Sequence, residues 1–165
     1  MQNLTLIPFN LPGKVYRAPM PFGKFDYGKT TLHEMQSLQV LEVITLAEEF
    51  EWHEKAGCDL REKYQLSGIR MEHMPVVDFN APQDPAPYRK SILKALDFAK
   101  NGRNISVHCN AGLGRTGTFL AVMAIEHFSW SPLDAILWIR QFIPGAVENE
   151  TQFSFVMNWE SRKNL

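Results

Sequence analysis

A cysteine and an arginine separated by five residues stand in the run His108-Cys109-Asn110-Ala111-Gly112-Leu113-Gly114-Arg115-Thr116-Gly117-Thr118. The residue types suit nucleophilic attack on an oxyanion. Cysteine attacks as thiolate, a form favoured at helix N-termini and beside cations. Arg115 supplies a cation, and its planar fork can hold two oxygens of a phosphoryl group, which a lysine cannot do in the same way. Gly112 and Gly114 let the backbone curl closely round those oxygens. Thr116 carries a hydroxyl that can donate to the sulfur.

The flanking residues say how such a loop is held. Asn104-Ile105-Ser106-Val107 is a short β-type run, and Phe119 to Phe128 is almost wholly apolar. A strand therefore feeds a glycine-rich turn that opens a buried helix. In that setting the amides of Asn110, Ala111, Gly112, Leu113, Gly114 and Arg115 face inward and, with the helix N-terminus, make an anion-binding nest.

Stepping outward, Lys14 to Arg17 and Val40 to Leu46 read as strands, and Ile69 to Val77 as a third. Thr31-Leu32-His33-Glu34 has capping-box spacing and starts a helix through about Gln39. Ala47 to Lys55 is a charged helix ended by Gly57. Asn80 to Pro87, with three prolines, is expected to be an exposed loop without regular structure. Ser91 to Lys100 carries a helical apolar stripe closed by Asn101-Gly102. Further helices start at Arg115, at Ser131-Pro132 and near Asn149. Strands alternate with helices early and helices accumulate late. The fold class expected is α/β: a central mixed, mostly parallel sheet flanked by helices, with the cysteine loop at the carboxyl end of a central strand.

The chain has 165 residues, 45% hydrophobic and 21% charged, with 17 Lys and Arg against 18 Asp and Glu. One domain covering 1–165 with a real core is expected. The formal net charge of −1 gives no electrostatic reason to bind nucleic acid or an anionic membrane. No signal peptide or spanning segment is evident. Two cysteines, Cys58 and Cys109, make no disulfide scaffold, and a free thiol suits a reducing cytoplasm. His33, His53, His73 and His127 lack metal-ligand spacing, so neither metal nor cofactor is expected. Cys58 reads as a plain buried or loop cysteine rather than a redox partner of Cys109. Trp138, Trp159, Phe142, Phe153 and Phe155 read as core. The sequence specifies no oligomeric state.

His108-Cys109, the five-residue spacer and Arg115-Thr116 resemble the H-C-x5-R-[ST] signature of the cysteine-dependent protein tyrosine phosphatases. The wording Ala-Gly-x-Gly-Arg-Thr-Gly is most similar to the compact dual-specificity branch, and the chain length agrees. The resemblance runs from the Tyr16-Arg17 strand to the final helix. It implies a phosphatase fold and phosphomonoester hydrolysis through a phosphocysteine, with Cys109 as nucleophile and Arg115 on the phosphoryl oxygens.

That reaction needs an acid for the departing oxygen. Asp78 fits, because it ends the strand through Val77 and opens the proline-rich loop, and Asp-Phe-x-x-Pro is similar to the acid loop of small dual-specificity members. Asp84 sits in what reads as an ordinary turn, and Glu72 is expected to face solvent. The resemblance also implies that Gln152 helps position the hydrolytic water, although Asn149 and Gln152 equally read as a helix cap. His108 precedes the nucleophile and is read as a structural hydrogen-bond partner, not a base.

Gly112-x-Gly114-x-x-Gly117 is a literal dinucleotide fingerprint, but Asp134 falls in a helix and the motif comes too late in the chain for a second half-sheet. No lysine follows Gly117, which removes a Walker A loop. A catalytically inactive phosphate-binding module and a low-pKa-thiol redox enzyme are set aside, because Cys109, Arg115 and Asp78 are all present. Asn110, Ala111 and Leu113 are uncharged, whereas phosphoinositide-directed relatives tend to carry lysines there. Phosphotyrosine in a protein partner is therefore the first expectation, ahead of phosphoinositide or RNA 5′-triphosphatase activity.

Overall fold

The β-type run ahead of Cys109 forms β5 (Asn104–His108), with its last four residues buried. A strand covered on both faces belongs in the middle of a sheet, and β5 is the third of five in the order β1-β2-β5-β3-β4. The other strands are β1 (Thr5–Ile7), β2 (Val15–Ala18), β3 (Val40–Thr45) and β4 (Arg70–His73). The computed structural model describes residues 2–160. β1 runs antiparallel to β2, while the β2–β5, β5–β3 and β3–β4 pairs are parallel. The sheet is thus mixed and mostly parallel, as the alternation of elements implies.

Register decides where the site lies. Ala18 and Thr45 both pair with His108, and Thr45 also pairs with His73. Four parallel strands therefore finish on one line. The loops leaving Ala18, Thr45, His73 and His108 are gathered at one edge of the sheet, where a parallel sheet puts its ligands.

Helices cover both faces. One face carries α1 (Thr31–Ser37) and α3 (Leu60–Leu66), whose Met35, Leu60 and Tyr64 pack with Val43 and Trp52. The other carries α4 (Pro85–Lys100), α5 (Gly114–Phe128), α6 (Pro132–Phe142) and α7 (Glu150–Met157). Helix α5 is buried from Gly114 through Glu126, so it is the centre of that layer. Each large apolar side chain buried there contributes about 1.5–3 kcal/mol. Trp159 is buried and Trp138, Phe142, Phe153 and Phe155 pack against this core, as their spacing implies.

Local expectations are corrected in several places. β1 and α3 are elements the sequence reading does not contain. Asp59 caps α3, accepting from the Arg61 amide at 2.8 Å, and Gly68 follows its end. The proline segment is not wholly irregular, because Asp84 caps α4 and Pro85 occupies its first turn, where a missing N–H is harmless. Asp84 accepts from the Ala86 amide at 2.9 Å, a capping role. β4 ends at His73, before Pro75, rather than running to Val77. The charged helix after β3 is α2 (Glu49–Glu51) followed by a π-turn over Trp52–Ala56, closed by left-handed Gly57. The capping box at Thr31 is not formed. Thr30 precedes α1, and Glu34 accepts instead from the Asn3 and Leu4 amides and the Thr30 hydroxyl. Glu72 is half-buried and ion-paired with Lys94.

Candidate functional site

Cys109 follows β5 directly and is buried, only 4% exposed. His108 holds this junction from behind. Its Nδ1 meets the Cys109 carbonyl at 2.9 Å, and its Nε2 lies 2.7 Å from the Tyr64 hydroxyl and 3.1 Å from Thr45 Oγ1. Burial, and then the Arg115 charge, drive the His108 pKa down to about 4 against the raising effect of the Cys109 carbonyl, so the ring is a neutral strut. Its structural reading holds.

Residues 110–113 curl from Cys109 to α5. Asn110 and Ala111 are half-buried and Gly112 is buried with φ of 72°. Leu113 stands at the N-cap of α5 with no side-chain cap bond, and Gly114 is the first helical residue. Arg115 follows at once, so its guanidinium rises from the first turn beside the cysteine.

Arg115 is 2% exposed, and its partners come from two other strand ends. Nη1 donates to Glu51 Oε2 at 2.7 Å and to the Val76 carbonyl at 2.9 Å, and Nη2 donates to Glu51 Oε1 at 3.0 Å. The second face of Nη2 is 2.9 Å from Asp78 Oδ1. Burial alone would raise the Glu51 pKa. Hydrogen bonds from Arg115 and Lys55 outweigh it and hold the carboxyl at about 2. Lys55 ties the group together, reaching Glu51 Oε1 at 2.8 Å and Asp78 Oδ2 at 3.3 Å. Arg115 Nε and Thr116 Oγ1 are buried with no hydrogen-bond partner among the described residues. The hydrogen bond from Thr116 to the Cys109 sulfur expected from sequence is therefore not made here.

Asp78 is brought over the loop by residues 76–80, a turn in which Phe79 adopts φ of 60° and stays 64% exposed. Helix α7 secures this turn. Asn149 Nδ2 donates to the Phe79 carbonyl at 2.7 Å, and the buried Gln152 donates through Nε2 to the Asn80 carbonyl at 3.4 Å. Asn149 caps α7 by accepting from the Gln152 amide, as its position implies, but the Gln152 side chain accepts from Glu148 N rather than from the cap residue itself. Arg140 holds the preceding segment through the Ala146 and Val147 carbonyls, at 2.9 and 3.0 Å. Glu148 then lies across the start of α5, in the space a Cβ on Gly114 would need. Burial and then Asp78 raise the Glu148 pKa against Arg115 and the Gln152 bond.

The arrangement gathers a buried thiol, a fixed guanidinium, an uncapped helix start and a carboxyl within reach of one bound anion. The family model described as "Polymorphic toxin system, DSP-PTPase phosphatase" matches residues 22–129, which include Glu51, Asp78, Cys109 and Arg115. The chain belongs to that family. This places it in the dual-specificity branch of the cysteine-dependent protein tyrosine phosphatases. It is 34% identical over 85 residues to the dual specificity protein phosphatase CDC14B of Mus musculus, a match covering 51% of this chain and 18% of that protein. Against the human phosphatidylglycerophosphatase and protein-tyrosine phosphatase 1 it is 26% identical over 162 residues, 90% of this chain and 80% of the relative. The crystal structure of kinase associated phosphatase, with serine in place of its catalytic-site cysteine, superposes with a TM-score of 0.83, covering 93% of this chain and 90% of that one. At 22% identity that last likeness speaks for the fold.

Within this phosphatase fold the structure brings Asp78 onto Arg115 next to Cys109 and the loop 110–114, whereas Thr116 lies on α5 without a bond to Cys109 and Gln152 reaches only the turn after Asp78, through Asn80. Glu51, Lys55 and Glu148 are site neighbours that sequence reading does not find. Each is a charged residue at a helix end or in a loop; the Glu51–Lys55 spacing of four signals only a helical pair, and the reach of Glu51 to Arg115 and of Glu148 to Gly114 spans distant parts of the chain, so spacing does not assign them to the site.

Proposed function

We propose that the protein hydrolyses phosphomonoesters through a phosphocysteine, with phosphotyrosine or another aryl phosphate as its preferred class. The observation that carries this is the 2.9 Å approach of Asp78 Oδ1 to Arg115 Nη2, with a carboxyl group beside the guanidinium that follows the cysteine loop.

A phosphoryl group seated in the nest takes one oxygen to Arg115 Nε, a second to Nη2 as Asp78 turns from it to the ester oxygen, and the others to the loop amides. Arg115 Nε is free to donate to it, while Glu51 keeps the guanidinium plane fixed. The Cys109 sulfur attacks phosphorus, the P–O ester bond breaks, and protonated Asp78 gives its proton to the departing oxygen. Water then attacks the phosphocysteine, Asp78 takes a proton from it, and the P–S bond breaks to release phosphate and thiolate. Thr116 stabilises that thiolate, a role supported by its hydroxyl being buried without a hydrogen-bond partner among the described residues. Gln152 positions the water from its anchored place under Asn80.

The rim favours a substrate with one phosphate. Asn110, Ala111 and Leu113 are uncharged, Glu148 adds a carboxylate, and Phe79 offers an exposed ring. The human relative is a phosphatidylglycerophosphatase as well as a protein-tyrosine phosphatase by name, yet the Glu148 carboxylate disfavours a second phosphoryl group here. We place the enzyme in the cytoplasm as one domain acting on phosphorylated protein. No helix among the described residues is long and apolar enough to cross a membrane. The deciding assay is hydrolysis of p-nitrophenyl phosphate in the presence of chelator. Turnover should be vanadate-sensitive and disappear in Cys109→Ser, and full turnover by that variant would overturn the mechanism.

A further inference from the structure

We infer that Arg17 is a positioning residue of the anion loop, setting the peptide planes whose amides face the phosphoryl group; this rests on the phosphatase reading above. Arg17 lies on β2, level with Val107 on β5, one residue short of the line where the parallel strands end. Among the described residues its three side-chain hydrogen bonds all go to backbone carbonyls. Nη2 donates to Ala111 O at 2.8 Å, Nε to Gly112 O at 2.8 Å and Nη1 to Asn3 O at 3.2 Å. Among the described residues it forms no ion pair, so its charge is directed at the loop and not at a carboxylate.

The effect on the nest follows from the trans peptide. Within their shared plane a carbonyl oxygen and the N–H of the next residue point in opposite directions. Fixing Ala111 O and Gly112 O outward aims the Gly112 and Leu113 amides inward. The neighbouring plane is fixed by the same segment, because the Met20 amide donates to Asn110 O at 2.9 Å and so turns the Ala111 amide in. Three consecutive planes are thus oriented from β2 and the residues just after it.

Gly112 is what allows this approach. A Cβ there would lie 2.3 Å from Ala18 O and 2.9 Å from Arg17 Nε, at a φ that side chains rarely adopt. The fork geometry matters as much as the charge, since two carbonyls are held by two differently directed donors and a lysine has only one nitrogen to offer. Burial lowers the Arg17 pKa, and the neighbouring Cys109 opposes that lowering.

The test compares wild type, Arg17→Gln and Arg17→Lys by three readouts: kcat and KM for p-nitrophenyl phosphate, binding of inorganic tungstate, and the amide NMR shifts of Ala111, Gly112 and Leu113 with and without tungstate. Arg17→Gln should lose roughly 10²-fold in kcat/KM, the scale of a lost oxyanion donor. Tungstate should bind more weakly, and its characteristic shifts at Gly112 and Leu113 should shrink. Arg17→Lys keeps the charge and should remain at least about 10-fold below wild type. Wild-type values in Arg17→Lys would overturn the inference by showing that charge suffices, and so would wild-type values in Arg17→Gln. If Arg17→Gln fails to fold, Arg17→Lys decides alone. Absence of hydrolysis by the wild type would instead remove the phosphatase reading.

Discussion

Glu51 and Arg115 form a two-point ion pair sealed from solvent, each side chain 1% exposed, between the helix after β3 and the first turn of α5. Breaking one side of such a pair leaves a buried charge alone. Glu51→Ala should cost about 3–5 kcal/mol of stability. Glu51→Gln also removes the charge but keeps the shape and one acceptor oxygen, so it should cost less stability and act on chemistry as well. Its kcat/KM should fall by roughly 10²-fold, with the larger part in kcat, because Arg115 loses its fixed plane. Urea unfolding and steady-state kinetics on the two variants separate these effects.

Acid should weaken the fold in two successive windows. His108 is neutral in the folded protein, with its pKa lowered to about 4 from 6.5, so the unfolded chain takes up the proton first. Its contribution is complete above 6.5 and is lost as pH falls toward 4. Glu51, held at about 2 from 4.5, contributes above 4.5 and is lost between there and 2. Melting temperature measured across this range should fall steadily below pH 6.5. His108→Asn should flatten the upper window and leave the lower one; an unchanged slope between pH 6.5 and 4 would show that other groups govern it.

Asp78 is assigned the leaving-group proton, so the need for it depends on the leaving group. Asp78→Ala should lose about 10²–10⁴-fold in kcat on phenyl phosphate or phosphotyrosine peptide. The loss should be much smaller on an activated ester such as dinitrophenyl phosphate. Equal losses on both classes would point to another acid.

Asn149 ties α7 to the carbonyl of Phe79, next to Asp78. Asn149→Ala removes both that bond and the α7 cap, whose loss alone costs about 0.5–2 kcal/mol. Asn149→Ser retains capping ability but is too short to donate to Phe79 in the same way. We expect the serine variant to keep most of the stability while losing several-fold in kcat on phosphotyrosine peptide, read by thermal melts beside kinetics.

Glu148 carries an exposed carboxylate at the rim. Glu148→Gln should raise kcat/KM for a bisphosphorylated substrate relative to p-nitrophenyl phosphate by a few-fold at low ionic strength. The gain should shrink as salt screens the rim. A ratio that does not change would show that Glu148 takes no part in selecting substrate charge.

The chemistry of this protein was legible where it is local. Cys109, the glycines and Arg115 lie within one turn, and Asp78 announces itself by ending an apolar run and opening a proline-rich loop. The residues that hold those groups in place were not legible. Glu51 is one acidic residue among several in the first turn of a short helix, and its partner lies 64 positions away. Arg17 reaches across 94 and 95 positions to its two loop carbonyls, and backbone acceptors leave no trace in residue types. Prolines misled at α4, since a loop and a helix first turn use them alike. β1 is three residues long and was below what alternation can reveal.

The common finishing line of Ala18, Thr45, His73 and His108 makes strand register the ruler of this site. A slip of one residue in β3 or β4 would carry Glu51 or Asp78 by about 3.3 Å and turn alternate side chains to the other face. Phosphoryl transfer tolerates far less displacement than that. The backbone ladder that joins β2, β5, β3 and β4 along their length therefore sets the distances at which the reaction takes place.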